Sequence, residues 1–365
     1  MSDRAPTPSA PTPPLRIALV GPVAQSIPPA RSGSVETCTA LLADGLTDRG
    51  HEVTLFATGS SRTRATLHAE FPNGYHHDTD LWPWELCELF NLAAAVERAT
   101  AFDVIHYQAE YTPLALAYIR VSPTPILQTV HHAPSAPEIA LWSRYREAPF
   151  LAVSRHQAVC LDGLNVVGTI HHAVQPTTLD SLERPDDYLL FLGRFLEGKG
   201  VLEAIEVARR TRHRLVLAAA DNEYYQRVVA PLVDGDRVIW RGEVAGGAKT
   251  ALLHGARALL YPLQSAESFG LVLIEAMMCG TPVAALNRGA VGEIVDGGVT
   301  GYAFESLETL VAGLDDVLQL DRTQVRAHAV SRFGPDRMID QHVAVYRRLV
   351  ADHGSRTLGA TDASG

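Results

Sequence analysis

The chain has 365 residues, 47% of them hydrophobic and 20% charged, which suits two globular domains of ordinary size, each with its own core. A formal net charge of −10 argues against a nucleic-acid partner, which needs a Lys/Arg surplus on one face, but leaves a local basic patch and peripheral membrane contact open. Four scattered cysteines (Cys38, Cys87, Cys160, Cys279), with no CxxC pair and no histidine at zinc spacing, argue against a disulfide framework and for a reducing, cytoplasmic setting.

Residues 1–14 hold five prolines and no apolar core, and read as a disordered tail rather than a signal peptide. No uncharged apolar run is long enough to span a membrane. The apolar run 16–20, closed by Gly21-Pro22, predicts a buried strand. After a Pro/Ser/Gly loop, Val35, Cys38, Leu41, Leu42 and Leu46 recur at helical spacing over 34–49, and Gly50 stops that helix. Further strands are expected at 52–57, 104–107, 125–130 and 150–153. A polar, proline-containing stretch at 175–187 reads as a linker. The alternation then restarts, with strands at 188–192, 214–219, 237–240, 258–261 and 282–286 and helices at 201–210 and 269–279. Such alternation predicts an α/β protein with two Rossmann-like domains, 15–175 and 186–334, whose parallel sheets face each other across a cleft. The amphipathic helix 335–350 is expected to return to the first domain, and residues 353–365 to be unstructured.

Two stretches carry chemistry. In Glu267-Ser-Phe-Gly-Leu-Val-Leu-Ile-Glu275, Glu267 falls in a loop after a strand and Glu275 lies two turns into the next helix. Between them, Phe269, Gly270, Leu271 and Val272 offer free backbone N–H groups at a helix N-terminus, an anion site with a carboxylate on either side. The plainer alternative makes Glu267 a dipole-stabilising carboxylate and Glu275 a solvated residue. Against it, Glu275 stands in an apolar helix where a carboxylate needs a partner. In Gly193-Arg194-Phe-Leu-Glu-Gly-Lys199-Gly200, also between a strand and a helix, glycines allow close backbone approach and Arg194 and Lys199 supply positive charge for a diphosphate. Surface cations are the alternative there. The chain has only two lysines, Lys199 and Lys249, which makes both positions informative.

These stretches, with the opening SGSVETCTALLADGLTDRGHEVTLFA and the continuation CGTPVAALNRGAVGEIVDGGVTGY, resemble family 4 of the retaining glycosyltransferases, of GT-B fold. The resemblance runs from about residue 16 to 349. It implies transfer of a sugar from a nucleotide diphosphate donor, without a metal or other cofactor, to an acceptor hydroxyl that the sequence does not identify. Glu275 would bind the ribose, Glu267 would face the donor sugar, and Arg194 and Lys199 would neutralise the departing diphosphate. Backbone groups of Gly193 and of Phe269 to Val272 would hold phosphate and sugar. The base would lie near Trp240 and Arg241. Gly33 and Ser34 would approach the phosphates from the other domain, and His131 matches the family histidine near the acceptor. A nucleotide-sugar epimerase or sugar phosphorylase of the same architecture, or a non-catalytic nucleotide-sugar binder, are the alternatives.

The chain departs from the family at three places: SGS replaces a double glycine, IHHAVQ (170–175) replaces an Asn-Gly pair, and LAAADNE replaces a Gly-Asp-Gly-like turn. Asp78 and Asp80 imitate a metal-binding DxD beside His76 and His77 but read as a surface turn. Neighbouring strand side chains point to opposite faces, so neither His131-His132 nor His171-His172 can chelate in cis. His132 and His172 read as structural or cleft-lining residues.

Overall fold

The computed structural model describes residues 13–109, 113–177 and 185–362. The expected tail 1–14 therefore lies almost wholly outside the described residues, as does 178–184 of the linker. The first half holds β1 (Arg16–Val20), β2 (Glu52–Phe56), β3 (Thr66–His68), β4 (Val104–Tyr107), β5 (Ile126–Thr129), β6 (Pro149–Ala152) and β7 (Asn165–Thr169). They form one sheet in the order β3-β2-β1-β4-β5-β6-β7. The second half holds β8 (Leu189–Leu192), β9 (Leu215–Ala218), β10 (Val238–Trp240), β11 (Ala258–Tyr261), β12 (Val283–Leu286) and β13 (Gly301–Phe304), ordered β10-β9-β8-β11-β12-β13. Every pairing in both sheets is parallel.

The central strands are uninterrupted apolar runs, LLFL in β8 and ALLY in β11, and every residue of both is buried. Such runs suit a sheet covered by helices on both faces. Strand order reverses beside β1 in the first sheet and beside β8 in the second. In open parallel sheets ligands bind at that reversal, outside the carboxyl ends of the strands. The loops leaving β8 and β11 flank it in the second half, and those are the two stretches singled out by sequence.

Helix Pro335–Asp362 places Met338, Ile339 and Tyr346 in the core of the first half. Arg49, past the end of helix Ser34–Asp48, pairs with Asp336 at 2.8 Å and Asp340 at 2.7 Å. This helix corrects the expected unstructured end, because its backbone continues through 353–362. Gly354 costs such a helix about 1 kcal/mol, yet no proline ends it. Among the described residues no helix is long and apolar enough to cross a membrane.

Candidate functional site

Gly200 ends the loop after β8. Its φ of +82° and the approach of the Pro262 carbonyl, 2.2 Å from where a Cβ would stand, admit only glycine. The two loops therefore lie against each other, and a close array of charge follows. The Lys199 Nζ donates to Glu267 Oε2 at 3.1 Å, and the Tyr261 hydroxyl, at the end of β11, donates to the same oxygen at 2.6 Å. Burial, and then the charge of Glu267, pushes the Tyr261 hydroxyl well above its usual pKa, so it stays a donor. Arg194 is exposed and lines the cleft, with no ion-pair partner among the described residues.

Helix Leu271–Met278 begins later than expected, because Gly270 takes the N-cap with φ +90°, and no side chain caps it. Glu275 consequently sits one turn in, not two. Gly270, Leu271 and Val272 line the cleft, whereas the Phe269 side chain turns inward, with its ring 5.1 Å from that of His172. Glu275 has the partner its apolar helix demands: the Lys249 Nζ, from helix Gly246–Gly255, donates to Oε1 at 2.6 Å. Sequence reasoning assigns Lys249 no role, and its rarity is the one signal that points to it.

From the first half, Gly33, Ser34 and His131 line the same cleft, whose volume is about 1620 Å³. That exceeds the roughly 300–1,000 Å³ usual for one small-molecule ligand and leaves room for two substrates. Of the two residues expected beside the base, Trp240 is already engaged within the second half. Trp240 packs on Tyr225, with ring centroids 4.2 Å apart, and its Nε1–H donates to the Ala219 carbonyl at 3.0 Å. Neither Trp240 nor Arg241 lines the cleft, which reaches Ala219, Ala220 and Val244 instead. The LAAADNE turn acquires a role through Asn222, whose Nδ2 donates to the Phe195 carbonyl at 2.8 Å and ties the loop after β8 in place.

His131 donates its Nε2–H to the Gln108 side-chain oxygen at 2.9 Å and stacks on His172, centroids 5.3 Å apart. Burial, followed by the neighbouring His132, takes its pKa down to about 3, so it is neutral at ordinary pH. The other two doublet members take carboxylate partners, His132, which also lines the cleft, bonding Glu138 at 3.0 Å and His171 bonding Glu293 at 2.5 Å. Glu293 belongs to the second half and also accepts from the backbone N–H groups of Arg155 at 2.9 Å and His156 at 3.2 Å. Burial opposes its ionisation, but these donors outweigh it and lower its pKa. The IHHAVQ departure thus supplies an inter-domain contact of its own. A second one crosses the cleft mouth, where Ser32 Oγ donates to Glu243 at 3.0 Å. Asp78 accepts the Asp80 N–H at 3.2 Å in a turn, and among the described residues no group of three or more His, Cys, Asp or Glu could hold a metal.

Two family models match the chain: glycosyl transferases group 1 over residues 180–332, and glycosyltransferase family 4 over 35–160. A phosphatidyl-myo-inositol mannosyltransferase of Mycobacterium leprae is 28% identical over 295 residues, covering 70% of this chain and 75% of the relative. The solved structure of AviGT4, a glycosyltransferase of avilamycin A biosynthesis, is 26% identical with a TM-score of 0.69, covering 93% of this chain and 99% of that one. Anabaena Alr3699/HepE, solved with UDP and glucose, shares the fold at 16% identity and a TM-score of 0.69, over 92% of this chain and all of that one (100%). With paired parallel sheets and a charged cleft at their reversal points, the chain belongs to the family 4, group 1 glycosyltransferases of GT-B fold, and is a transferase.

Proposed function

We propose that this transferase moves a sugar from a nucleotide diphosphate donor with retention of configuration and without a metal ion. The observation that carries the reading is the convergence of Arg194, Lys199 and an uncapped helix N-terminus with two carboxylates at the reversal point of the second sheet. A diphosphate seated on the amides of Gly270 to Val272 meets both cations, which take the place of a metal in balancing the charge left as the sugar departs. Glu267, oriented by Lys199 and Tyr261, faces the donor sugar. Glu275 gives one oxygen to Lys249 and keeps the other for the ribose hydroxyls. The solved Anabaena relative holds UDP, which supports this donor class.

Glu267 is engaged by Lys199 and Tyr261 and serves to hold the sugar rather than to attack it, and the acceptor hydroxyl attacks from the side the diphosphate leaves. The departing diphosphate accepts the proton, and the anomeric configuration is kept. His131, neutral and fixed by Gln108, serves the acceptor as a hydrogen-bonding group rather than a charge.

Calorimetry with nucleotide diphosphates tests the donor assignment. Glu275→Ala is expected to weaken binding by about 1.5–3 kcal/mol, the worth of hydrogen bonds to a charged group. Unchanged affinity in a folded variant would remove Glu275 from the donor site.

A further inference from the structure

The period of two along β4 puts His106 and Gln108, just past the strand's end, on one face of the first sheet. Both are buried, and a line of hydrogen bonds runs through them from the C-terminal helix to the cleft. The Tyr346 hydroxyl bonds His106 Nδ1 at 2.7 Å, and the Thr129 hydroxyl bonds Nε2 at 2.8 Å. Gln108 Nε2 stands 3.3 Å from Nδ1 and 3.2 Å from Nε2 of the same ring. An atom that close to both nitrogens lies over the ring face, which is electron-rich, so it favours an N–H and repels a carbonyl oxygen. The amide is thereby fixed end for end, with its oxygen toward His131. That oxygen can only accept, so at 2.9 Å it keeps the proton of His131 on Nε2. Nδ1 is left with a lone pair and no partner among the described residues, on a ring that lines the cleft.

We propose, building on the transferase reading above, that Gln108 is a positioning residue that locks His131 in its Nε2–H form, so that Nδ1 accepts a hydrogen bond from a substrate hydroxyl. A histidine without such a partner divides its proton between the two nitrogens, and the Nδ1–H form would present a donor at the same place. The stacked His172 keeps the ring from turning its nitrogens away. With a pKa of about 3 the ring takes no proton itself, so it orients the hydroxyl and leaves deprotonation to the diphosphate. The part of Gln108 is thus to choose which nitrogen meets the ligand, a choice made from outside the cleft by His106 and the C-terminal helix.

Long-range proton–nitrogen NMR on the full chain labelled with nitrogen-15 histidine reads the tautomer directly, and His131→Asn identifies the signal. Native His131 is expected to carry its proton on Nε2 alone. Gln108→Met, of similar size but without the oxygen, should show both forms. Gln108→Glu keeps an oxygen in place and should keep Nε2 protonated. The Nδ1 resonance of the native chain should shift when UDP-glucose, UDP-galactose or GDP-mannose binds, if the hydroxyl is on the donor sugar. If it is on the acceptor, the shift should come only when glucose, galactose or mannose joins the nucleotide diphosphate complex. A native ring protonated on Nδ1, or a Gln108→Met ring still wholly in the Nε2–H form, overturns the proposal. So does an Nδ1 resonance that none of these sugars moves in a chain that binds nucleotide diphosphate. Calorimetry showing that the native chain binds no nucleotide diphosphate overturns the donor reading, and the substrate half of this proposal with it.

Discussion

Arg194→Ala and Lys199→Ala are each expected to lower turnover by roughly 10²–10³, the usual cost of removing one preorganised electrostatic donor. Negative charge on the diphosphate grows as the sugar bond breaks, so a cation there gains energy between ground and transition states. Donor affinity should fall less than turnover, since the intact nucleotide sugar carries less charge on its diphosphate. The two variants should differ in one respect. Lys199 also holds Glu267, whereas Arg194 has no ion-pair partner among the described residues. Lys199→Ala therefore frees Glu267 beside the sugar as well as removing a charge. Steady-state rates with donor affinities measured separately decide the matter. Near-normal turnover in both variants would make them ordinary surface cations, and a loss confined to affinity would move leaving-group stabilisation elsewhere.

Acid should destabilise the chain well before its carboxylates titrate. His106 on β4 and His342 on the C-terminal helix are both buried, with ring centroids 5.5 Å apart. His106 bonds the Tyr346 hydroxyl at 2.7 Å and the Thr129 hydroxyl at 2.8 Å, and His342 Nδ1 donates to the Met338 carbonyl at 2.8 Å. Burial holds His342 down to about 4 and His106 well below its usual value. Both folded-state pKa values lie below that of a free imidazole, about 6.5, so below that pH the unfolded chain binds protons that the folded chain refuses. The stabilisation is whole above pH 6.5 and is lost as pH falls toward 4. Each histidine that stays neutral in the folded chain loses about 1.4 kcal/mol per pH unit below 6.5, and the buried His131 and His172 add to the loss in the same direction. Denaturant unfolding at pH 7.5 and 5 should show that loss, and His342→Gln should make the slope shallower by one proton. Equal stability at the two pH values would contradict this account.

The strands legible in the sequence are the interior strands of both sheets, where burial on both faces leaves an unbroken apolar run, and one edge strand, β10. The three strands it does not reveal, β3, β7 and β13, all lie at sheet edges. Thr66–His68 is too short to show a pattern, and Asn165–Thr169 contains Gly168 and a register shift against β6. Glu267, Glu275, Arg194 and Lys199 are legible because charged residues stand in apolar or glycine-rich surroundings beside a strand end. Their partners are not. Lys249 reaches Glu275 from a helix 26 residues earlier, and the Glu293–His171 contact spans 122 residues, distances that only the fold closes. The partners of Trp240 are hidden in the sequence for a similar reason. An aromatic at a strand end looks available for a base, but the unforeseen helical turn Tyr225–Val229 brings Tyr225 against its ring.

Thermal unfolding against a panel of nucleotide diphosphates, in excess chelator, tests the central claim most directly. The proposed donor site, built from Arg194, Lys199, the helix N-terminus and Glu275, should hold its ligand without a metal. At least one nucleotide diphosphate, present at about 100 times its dissociation constant, should then stabilise the chain by about 2.7 kcal/mol. Glu275→Ala should abolish most of that shift at the same concentration. If no nucleotide diphosphate raised the unfolding temperature under chelation, and added magnesium or manganese restored the effect, the metal-free donor site would be contradicted.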